Sequence, residues 1–226
     1  MTYANTTTGI FITRPNRFIA HVELDGETVV AHVKNTGRCK ELLIPGARVF
    51  LYKSDKTERK TLYDLIAVWK GERLVNIDSQ VPNMVFKEYM QSGKCIDGIT
   101  LIKSEVKYSN SRFDLYVEAG ERKIFIEVKG VTLEENGVAM FPDAPTERGV
   151  KHLNELVECV KNGYETWVVF VIQMKDVRYF TPNVKTHAVF GETLVAAERA
   201  GVKILAFDCE VTEDSLKIGK PVEVRL

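Results

Sequence analysis

Three ionisable side chains in the segment 111–129 could do chemistry together: Asp114, Glu127 and Lys129. On both sides of Gly120-Glu121, apolar and polar residues alternate, which predicts two β-strands that each have one apolar face. A two-residue turn with glycine first favours a type II′ hairpin, so the strands can be paired by counting outward from it. This count sets Asp114 opposite Glu127 on the polar face of the predicted sheet.

The chemistry that such a pair supports is the binding of a hard cation. Two directly opposed carboxylates have Cβ atoms about 4.5–5.5 Å apart, and they repel each other unless something neutralises them. Mg²⁺ and Mn²⁺ are held by one or two carboxylates together with waters and phosphate oxygens. Lys129, two residues after Glu127 on the same face, could place its ammonium beside a developing phosphoryl charge. The pattern predicts metal-assisted phosphodiester hydrolysis, with Asp114, Glu127 and Lys129 as catalytic residues and Mg²⁺ or Mn²⁺ as cofactor.

A structural alternative stands beside this hypothesis, because exposed sheet faces often carry Asp, Glu and Lys. A Glu-x-Lys tripeptide alone is weak evidence, and the opposed Asp114 is what favours a site. Glu105, in a strand-like run at 104–107, could be a third metal ligand beside Asp114 and Glu127, or it could face solvent. The absence of a Gly-x-x-x-x-Gly-Lys loop and of a Gly-x-Ser-x-Gly motif argues against an NTPase and a serine hydrolase.

Cationic residues near this segment are candidates for contacts with phosphates. Lys and Arg (31) balance Asp and Glu (31), which argues against a protein that coats DNA indiscriminately. Local clusters remain at Lys53, Lys56, Arg59 and Lys60, and at Lys103, Lys107 and Arg112. Such runs are more often solvated faces than binding sites. The predicted nucleic-acid-binding residues, with DNA as the expected partner, are Arg38, Lys107, Arg112, Arg148, Lys151 and His152.

Residues 9–78 have the pattern of a small β-barrel. The strongest signal is Asp25-Gly26 between the β-prone runs 18–24 and 27–33, since Asp-Gly is typical of a hairpin turn. Further strands are predicted at 48–52, 62–69 and 74–77. An OB-like barrel fits this strand count best, and such barrels often bind single-stranded nucleic acid. An SH3-like barrel has the same number of strands, so the choice stays open.

After residue 78 the pattern changes to alternating strands and helices, which predicts an α/β (α+β) domain around the catalytic segment. Helices are predicted at 82–91, 146–162 and 185–200, and further strands at 166–172 and 202–207. The second helix has Pro145 at its start and Gly163 just past its end. Its polar face carries Arg148, Lys151 and Glu155. We expect an OB-like domain at 1–78 and a mixed-sheet domain at 79–226.

The cysteines and the first residues indicate the compartment. Single, scattered cysteines predict buried free thiols rather than a zinc site or a disulfide scaffold; they are Cys39, Cys95, Cys159 and Cys209. The chain starts without a signal-peptide pattern, and no stretch is apolar for the roughly 18 residues that a membrane span needs. We expect a cytoplasmic protein without a membrane partner, with a homodimer as the default assembly.

Several segments resemble the hallmark segments of the sugar fermentation stimulation protein family (SfsA). They lie at 35–38, 41–43, 45–47, 103–107, 126–129, 131–133 and 141–153. They occur in the family's order and span nearly the whole chain. The resemblance implies an N-terminal OB-like domain and a C-terminal domain similar to the PD-(D/E)xK nucleases. It also implies a DNA-binding regulator of sugar (maltose) metabolism genes, without an established substrate.

The resemblance assigns roles to individual residues. It places the two acidic positions of the nuclease pattern on Asp114 and Glu127, its lysine on Lys129 and its upstream acid on Glu105. Phe113 precedes the first acid, where the common form of the pattern has proline.

A second feature of the resemblance lies in the segment 35–38. Gly37 suggests a tight turn that presents Arg38, either to a phosphate or to a structural salt bridge. Two functions therefore remain open, a metal-dependent nuclease and a non-enzymatic DNA-binding regulator built on a nuclease-like scaffold.

Overall fold

The structure is a computed structural model that describes residues 1–35, 37–55, 58–109 and 111–226. Two residues of the segments singled out above lie outside the described residues. They are Lys56, in the first basic cluster, and Thr36, in the segment 35–38. Within the described ranges, a β-barrel comes first and a mixed α/β part follows.

The barrel is built from five strands. They are β1 (Thr6–Asn16), β2 (Ile19–Leu24), β3 (Glu27–Val33), β4 (Arg48–Lys53) and β5 (Tyr63–Lys70). Antiparallel pairs join β1 to β2 and β4, β2 to β3, and β4 to β5, and a parallel β3–β5 pairing closes the barrel. This order is that of an OB barrel, so the OB-like prediction is confirmed over the SH3-like one. Asp25 and Gly26 turn with φ of 52° and 83°, as a type I′ hairpin requires.

A six-stranded mixed sheet forms the centre of the second part, in the order β15-β14-β12-β9-β8-β7. Its strands are β7 (Ile99–Tyr108), β8 (Ser111–Ala119), β9 (Arg122–Val131), β12 (Glu165–Ile172), β14 (Lys203–Val211) and β15 (Leu216–Pro221). The pairs β9–β12 and β12–β14 are parallel, and the others are antiparallel. The shorter strands are β6 (Arg73–Asn76), which extends the barrel sheet, and a three-stranded sheet of β10 (Leu133–Glu135), β11 (Val138–Phe141) and β13 (Tyr179–Pro182).

Helices cover both faces of the mixed sheet: α1 (Pro82–Gln91), α2 (Glu147–Lys161) and α3 (Ala188–Arg199). Alternate residues of β12 enter different apolar clusters. Phe170 packs in the cluster with Leu156 of α2, and Val169 packs in the cluster with Phe86 of α1. A strand that is apolar on both sides and covered by helices is what the run 166–172 predicted.

The limits of the second helix, α2, are set by the residues at its two ends. The Thr146 hydroxyl accepts a hydrogen bond from the N–H of Gly149 at 3.0 Å, which caps the helix start. Gly163, just past the end, has a φ of 84°, a conformation that glycine adopts without strain.

The barrel and the mixed sheet are joined by polar contacts that are buried. The amide of Gln173, after β12, donates to Asn76 Oδ1 at 2.9 Å and to the carbonyl oxygen of Asp78 at 3.0 Å. Lys70 and Arg73 of the barrel sheet pair with Glu134 of β10 at 2.9 and 2.8 Å. These contacts fix the end of the barrel against the strands that follow the segment 111–129.

The expected state of the thiols is confirmed in part. All four cysteines are free, and Cys39, Cys159 and Cys209 are buried while Cys95 is half-buried. In the part of the chain that the structure describes, none of the helices has both the length and the apolar character to cross a membrane. The cytoplasmic location and the homodimer stay predictions.

Candidate active site

The hairpin of β8 and β9 has the predicted register over five residue pairs, from Ala119–Arg122 to Leu115–Ile126. Gly120 turns with a φ of 59°. The ladder ends one pair short of the predicted Asp114–Glu127 pair. There, Oδ2 of Asp114 accepts a hydrogen bond from the backbone N–H of Val128 at 2.8 Å.

A bend of β8 at Asp114 explains why the ladder stops. Leu115 packs in the apolar cluster on the α1 side, whereas Phe113 packs in the cluster on the α2 side, 5.1 Å from the ring of Phe125. The hydroxyl of Ser111 donates to the carboxylate of Glu155 on α2. The predicted alternation, with Phe113 and Leu115 on one face, is therefore wrong at this point, because the start of β8 turns towards α2.

The carboxylate of Asp114 is held on two sides. Its Oδ1 accepts a hydrogen bond from Nδ2 of Asn83, on α1, at 2.7 Å. Burial, followed by the nearby charge of Glu127, raises the pKa of Asp114 to about 6, although the hydrogen bonds from Val128 and Asn83 lower it. The two predicted carboxylates therefore lie close enough to interact. Asn83 was missed from the sequence, where an amide next to a helix-starting proline gives no chemical signal.

Glu127 is buried, with 3% of its surface exposed. Its Oε1 lies 2.5 Å from Nζ of Lys129 and also contacts Nδ1 of His152. Burial alone would raise the pKa of Glu127, but the hydrogen bond from His152 and the charge of Lys129 outweigh it and hold the pKa below its usual value. The other oxygen, Oε2, is buried and has no hydrogen-bond partner among the described residues.

His152, which was predicted to contact nucleic acid, is buried and contacts Glu127, and its contact with nucleic acid stays a prediction. It is buried on α2, with Nδ1 on Glu127, while Nε of Arg148 donates to its Nε2 at 3.4 Å. The helical period could have predicted the burial of His152, because it lies on the same face of α2 as Leu156 and Cys159, which are buried too. We read His152 as a residue that orients Glu127.

A cationic groove of about 510 Å³ adjoins the carboxylates, lined by Ser111, Arg112, Glu147, Arg148, Lys151 and His152. Arg112 and Lys151 are largely exposed, at 67% and 60% of their side chains. Lys107 of β7 pairs in register with Arg112 and is exposed as well. Of the predicted nucleic-acid-binding residues, this groove brings together four: Arg112, Arg148, Lys151 and His152. Lys107 is the strand partner of Arg112.

Glu105 was considered as a third metal ligand beside Asp114 and Glu127. Glu105 is exposed in β7, has a φ of 56° and pairs with Arg112 at 2.8 Å. Over the residues that the structure describes, His, Cys, Asp and Glu form no group of three or more that could hold a metal ion. The metal-ligand role of Glu105 stays a prediction.

Arg38 is exposed, and none of the ion pairs in the described ranges includes it, so the structural salt bridge considered for it is absent there. Its backbone carbonyl accepts a hydrogen bond from Arg14 at 2.8 Å. The guanidinium is therefore free to contact a ligand.

Family models match both parts of the chain. The SfsA N-terminal OB domain matches residues 12–77, and the sugar fermentation stimulation protein RE domain matches residues 80–215. The chain belongs to the sugar fermentation stimulation protein family. The carboxylate pair, Lys129 and His152 all lie in the segment that the RE domain matches.

Relatives in this family match over their whole length. The sugar fermentation stimulation protein homolog of Desulfitobacterium hafniense is 63% identical over 226 residues, which are 100% of this chain and 99% of the relative. That of Ruminiclostridium cellulolyticum is 61% identical over 226 residues and covers 100% of both chains. Among solved structures, Pyrococcus furiosus SfsA in complex with Ca²⁺ is similar with a TM-score of 0.90 at 29% identity, over 100% of this chain and 98% of the other.

Proposed function

We propose that this protein is a Mg²⁺- or Mn²⁺-dependent nuclease that acts on DNA. The observation that carries the proposal is the convergence of Asp114, Glu127 and Lys129 at the point where β8 leaves β9, with Oε2 of Glu127 buried and without a partner. The groove of exposed cations beside these residues supplies the complementary charge for a phosphodiester backbone.

The residues fit a hard divalent cation. A buried carboxylate oxygen without a hydrogen-bond donor is unfavourable, and Oε2 of Glu127 is such an atom. Asp114 keeps its carboxylate beside it although burial and the charge of Glu127 raise its pKa. Two carboxylates, with waters and phosphate oxygens, are a common ligand set for Mg²⁺. A similar protein, Pyrococcus furiosus SfsA, was solved in complex with Ca²⁺, another hard cation with oxygen ligands.

Asp114 and Glu127 would hold the cation, which when bound supplies an acidified water and positive charge for the transferring phosphoryl group. Asn83 and the N–H of Val128 orient Asp114, and His152 orients Glu127. These contacts keep both carboxylates in place before substrate arrives, which lowers the cost of reorganisation during the reaction.

Lys129 has a role of its own. Its Nζ lies 2.5 Å from Glu127 Oε1 and its side chain is 15% exposed, so the ammonium is shielded from bulk water. A shielded positive charge stabilises a developing negative charge more strongly than an exposed one. Lys129 would donate hydrogen bonds to the attacking water or to a non-bridging phosphate oxygen.

A second candidate is a non-enzymatic DNA-binding regulator that uses the same groove. The balanced total charge, 31 basic against 31 acidic residues, favours selective over indiscriminate binding. This function needs the cations Arg112, Arg148 and Lys151 but not Lys129 as a catalytic group.

Incubation of end-labelled DNA with the protein and Mn²⁺ tests the proposal. We expect cleavage to fall by about 100-fold or more in Glu127→Gln and Lys129→Met, the loss typical of one removed transition-state contact. Glu121→Gln, at the exposed hairpin turn, serves as the matched control. Binding of DNA without Mn²⁺-dependent cleavage would favour the regulator. Cleavage that is unchanged in both variants would show that Glu127 and Lys129 are not the catalytic residues.

A further inference from the structure

A small cavity lies where the barrel meets the catalytic domain, beside the end of β9. Its volume is about 90 Å³. Its walls include Gly130 and Thr132, which follow Lys129 along the chain, and Asn35 from the barrel. The cavity therefore lies at the segment that directly follows the proposed catalytic lysine along the chain.

The barrel wall of the cavity is held rigidly by Arg14 of β1. Its Nη1 donates to the carbonyl oxygens of Gly37 and Arg38 at 3.0 and 2.8 Å, and its Nη2 donates to those of Asn35 and Arg17, both at 2.7 Å. One guanidinium thus fixes four carbonyl groups. A segment fixed in this way loses little entropy when a ligand binds.

Lys34, the residue before this wall, adds a second anchor. Its Nζ lies 3.1 Å from carboxylate oxygens of both Asp64 and Asp78, which are buried. The wall is therefore tied to the barrel core as well as to β1.

Side chains pack directly against two glycines beside the cavity, and one of these contacts joins the two domains. The carboxylate of Asp143, in the loop before α2, lies against Cα of Gly37, where any side chain would overlap it. Gln173 lies against Gly130 in the same way, since a Cβ there would come within 2.6 Å of its Oε1. Both glycines are needed for the fit, which explains Gly37 better than a turn with positive φ does.

Polar atoms without partners point to a ligand. Asn35 Oδ1 accepts from Gly37 N–H at 2.8 Å, which leaves its Nδ2 without an acceptor in the described ranges. Gln173 uses its Nε2 on Asn76 and Asp78, and its Oε1 has no donor there. The half-buried carboxylate of Asp143 likewise has no hydrogen-bond or ion-pair partner among described residues. Asp143 and Gln173 supply acceptors to this lining, Asn35 supplies a donor, and the hydroxyl of Thr132 can do either.

We propose that this cavity receives the polar edge of one unpaired nucleotide, so that the substrate strand is single-stranded where it enters the site. Exocyclic amines and sugar hydroxyls are the hydrogen-bond donors that a nucleotide presents, and they match the acceptors of Asp143 and Gln173. The volume of about 90 Å³ is below the roughly 150 Å³ that encloses a benzene ring, so only the edge of a base or a sugar hydroxyl can enter. The donors of the Watson–Crick edge are free to enter only when the base is unpaired. This inference rests on the proposed function for its class of ligand.

The test is direct binding in EDTA, where cleavage does not interfere. Fluorescence anisotropy compares a single-stranded 20-nucleotide DNA, an RNA of the same sequence, and a duplex of that sequence closed by loops at both ends. The variant is Asp143→Ala, whose side chain has no partner to lose in the described structure. The control is Asp97→Ala, which removes an exposed carboxylate in the loop between α1 and β7.

We expect the wild type to bind the single strands about tenfold more tightly than the closed duplex, the effect of one or two good hydrogen bonds. Asp143→Ala should weaken single-strand binding by about fivefold without weakening duplex binding. Removal of a negative charge ordinarily strengthens the binding of a polyanion, so a loss is diagnostic of hydrogen bonding. Asp97→Ala should not weaken the binding of single strands or of the closed duplex.

Equal binding of single strand and closed duplex by the wild type would overturn the cavity assignment and leave the nuclease proposal standing. Tighter single-strand binding by Asp143→Ala would overturn it too. If the wild type shows no Mn²⁺-dependent cleavage but prefers single strands, the nuclease proposal is wrong and the cavity assignment stands. Preference for RNA over DNA would identify the 2′-hydroxyl as the group bound, and equal preference the base edge.

Discussion

The carboxylate of Asp114 accepts a hydrogen bond from the backbone N–H of Val128, one residue beyond Glu127, at 2.8 Å. A side chain thereby takes the place that a strand carbonyl would occupy in a continued ladder. The bend of β8 that follows aims Asp114 towards Glu127 and keeps it there, although the two charges repel each other. In the proposed function, this arrangement preorganises the two carboxylates for a cation at a cost in stability.

Because of this cost, Asp114→Asn should gain stability relative to the wild type as pH rises. The pKa of Asp114 is about 6 in the folded protein against an ordinary 3.8, so the folded state binds the proton more tightly than the unfolded chain does. The stabilisation that this bound proton gives the folded state is greatest below about pH 4 and is lost as pH rises to 6. In EDTA, the free energy of unfolding of Asp114→Asn minus that of the wild type should be larger at pH 7 than at pH 4, by on the order of 2 kcal/mol.

Urea unfolding at pH 4, 5, 6 and 7 measures this difference. A stability difference between wild type and Asp114→Asn that stays constant over this range would show that the carboxylate does not carry a raised pKa. Asp97→Asn, at an exposed position, is the matched control.

The contact between His152 and Glu127 predicts a loss of metal affinity. His152→Ala removes the hydrogen bond that orients Oε1 of Glu127, and such supporting contacts are typically worth 10- to 100-fold in affinity. Calorimetric titration of Mn²⁺ should show a loss in this range, while Lys151→Ala, the exposed neighbour on α2, should bind Mn²⁺ as the wild type does. Unchanged affinity in His152→Ala would contradict the orienting role.

The cationic groove predicts a salt signature for DNA binding. If Lys151 contacts one phosphate, Lys151→Ala should reduce the slope of log affinity against log salt concentration by about 0.9. Lys161→Ala, at the other end of α2 and paired with Glu158, should leave the slope unchanged. Binding assays at several salt concentrations measure both, and equal slopes in the two variants would place the DNA elsewhere.

The junction of the two domains predicts a stability effect that is separate from the site. Glu134 is buried and pairs with Lys70 and Arg73, so Glu134→Ala leaves two cations without their partner and should cost about 2 kcal/mol. Burial opposes ionisation of Glu134, but these cations hold its pKa below the usual value. Its contribution is therefore present above about pH 4.5 and fades as pH falls.

Urea unfolding at pH 7 checks this expectation, with the exposed neighbour Glu135→Ala as control. An equal effect of the two substitutions would show that the ion pairs at the junction add nothing.

Local patterns decided how much the sequence could predict. The register from Ala119–Arg122 to Leu115–Ile126 follows from one turn and a period of two, and the limits of α2 follow from its capping residues. The strands of the small sheet, three or four residues each, are too short to show a period and were missed. So was the start of β1, Thr6–Asn16, where exposed and buried residues alternate irregularly.

The parts of the site that the sequence could not give depend on contacts between distant segments. Asn83 and Asp114 are 31 residues apart, and His152 and Glu127 are 25 apart. The bend at Asp114 depends on Phe113 packing towards α2, which no local pattern reveals. Residue types predicted the chemistry, and packing decided which side chains orient the carboxylates.

Calorimetric titration of Mn²⁺ into the wild type and into Asp114→Asn tests the central claim most directly. We expect binding to one site in the wild type, with the affinity reduced by at least about tenfold in the variant, whose neutral amide is a poorer ligand for a hard cation. Absence of Mn²⁺ binding to the wild type with DNA present, or equal binding by both proteins, would contradict a metal site at Asp114 and Glu127.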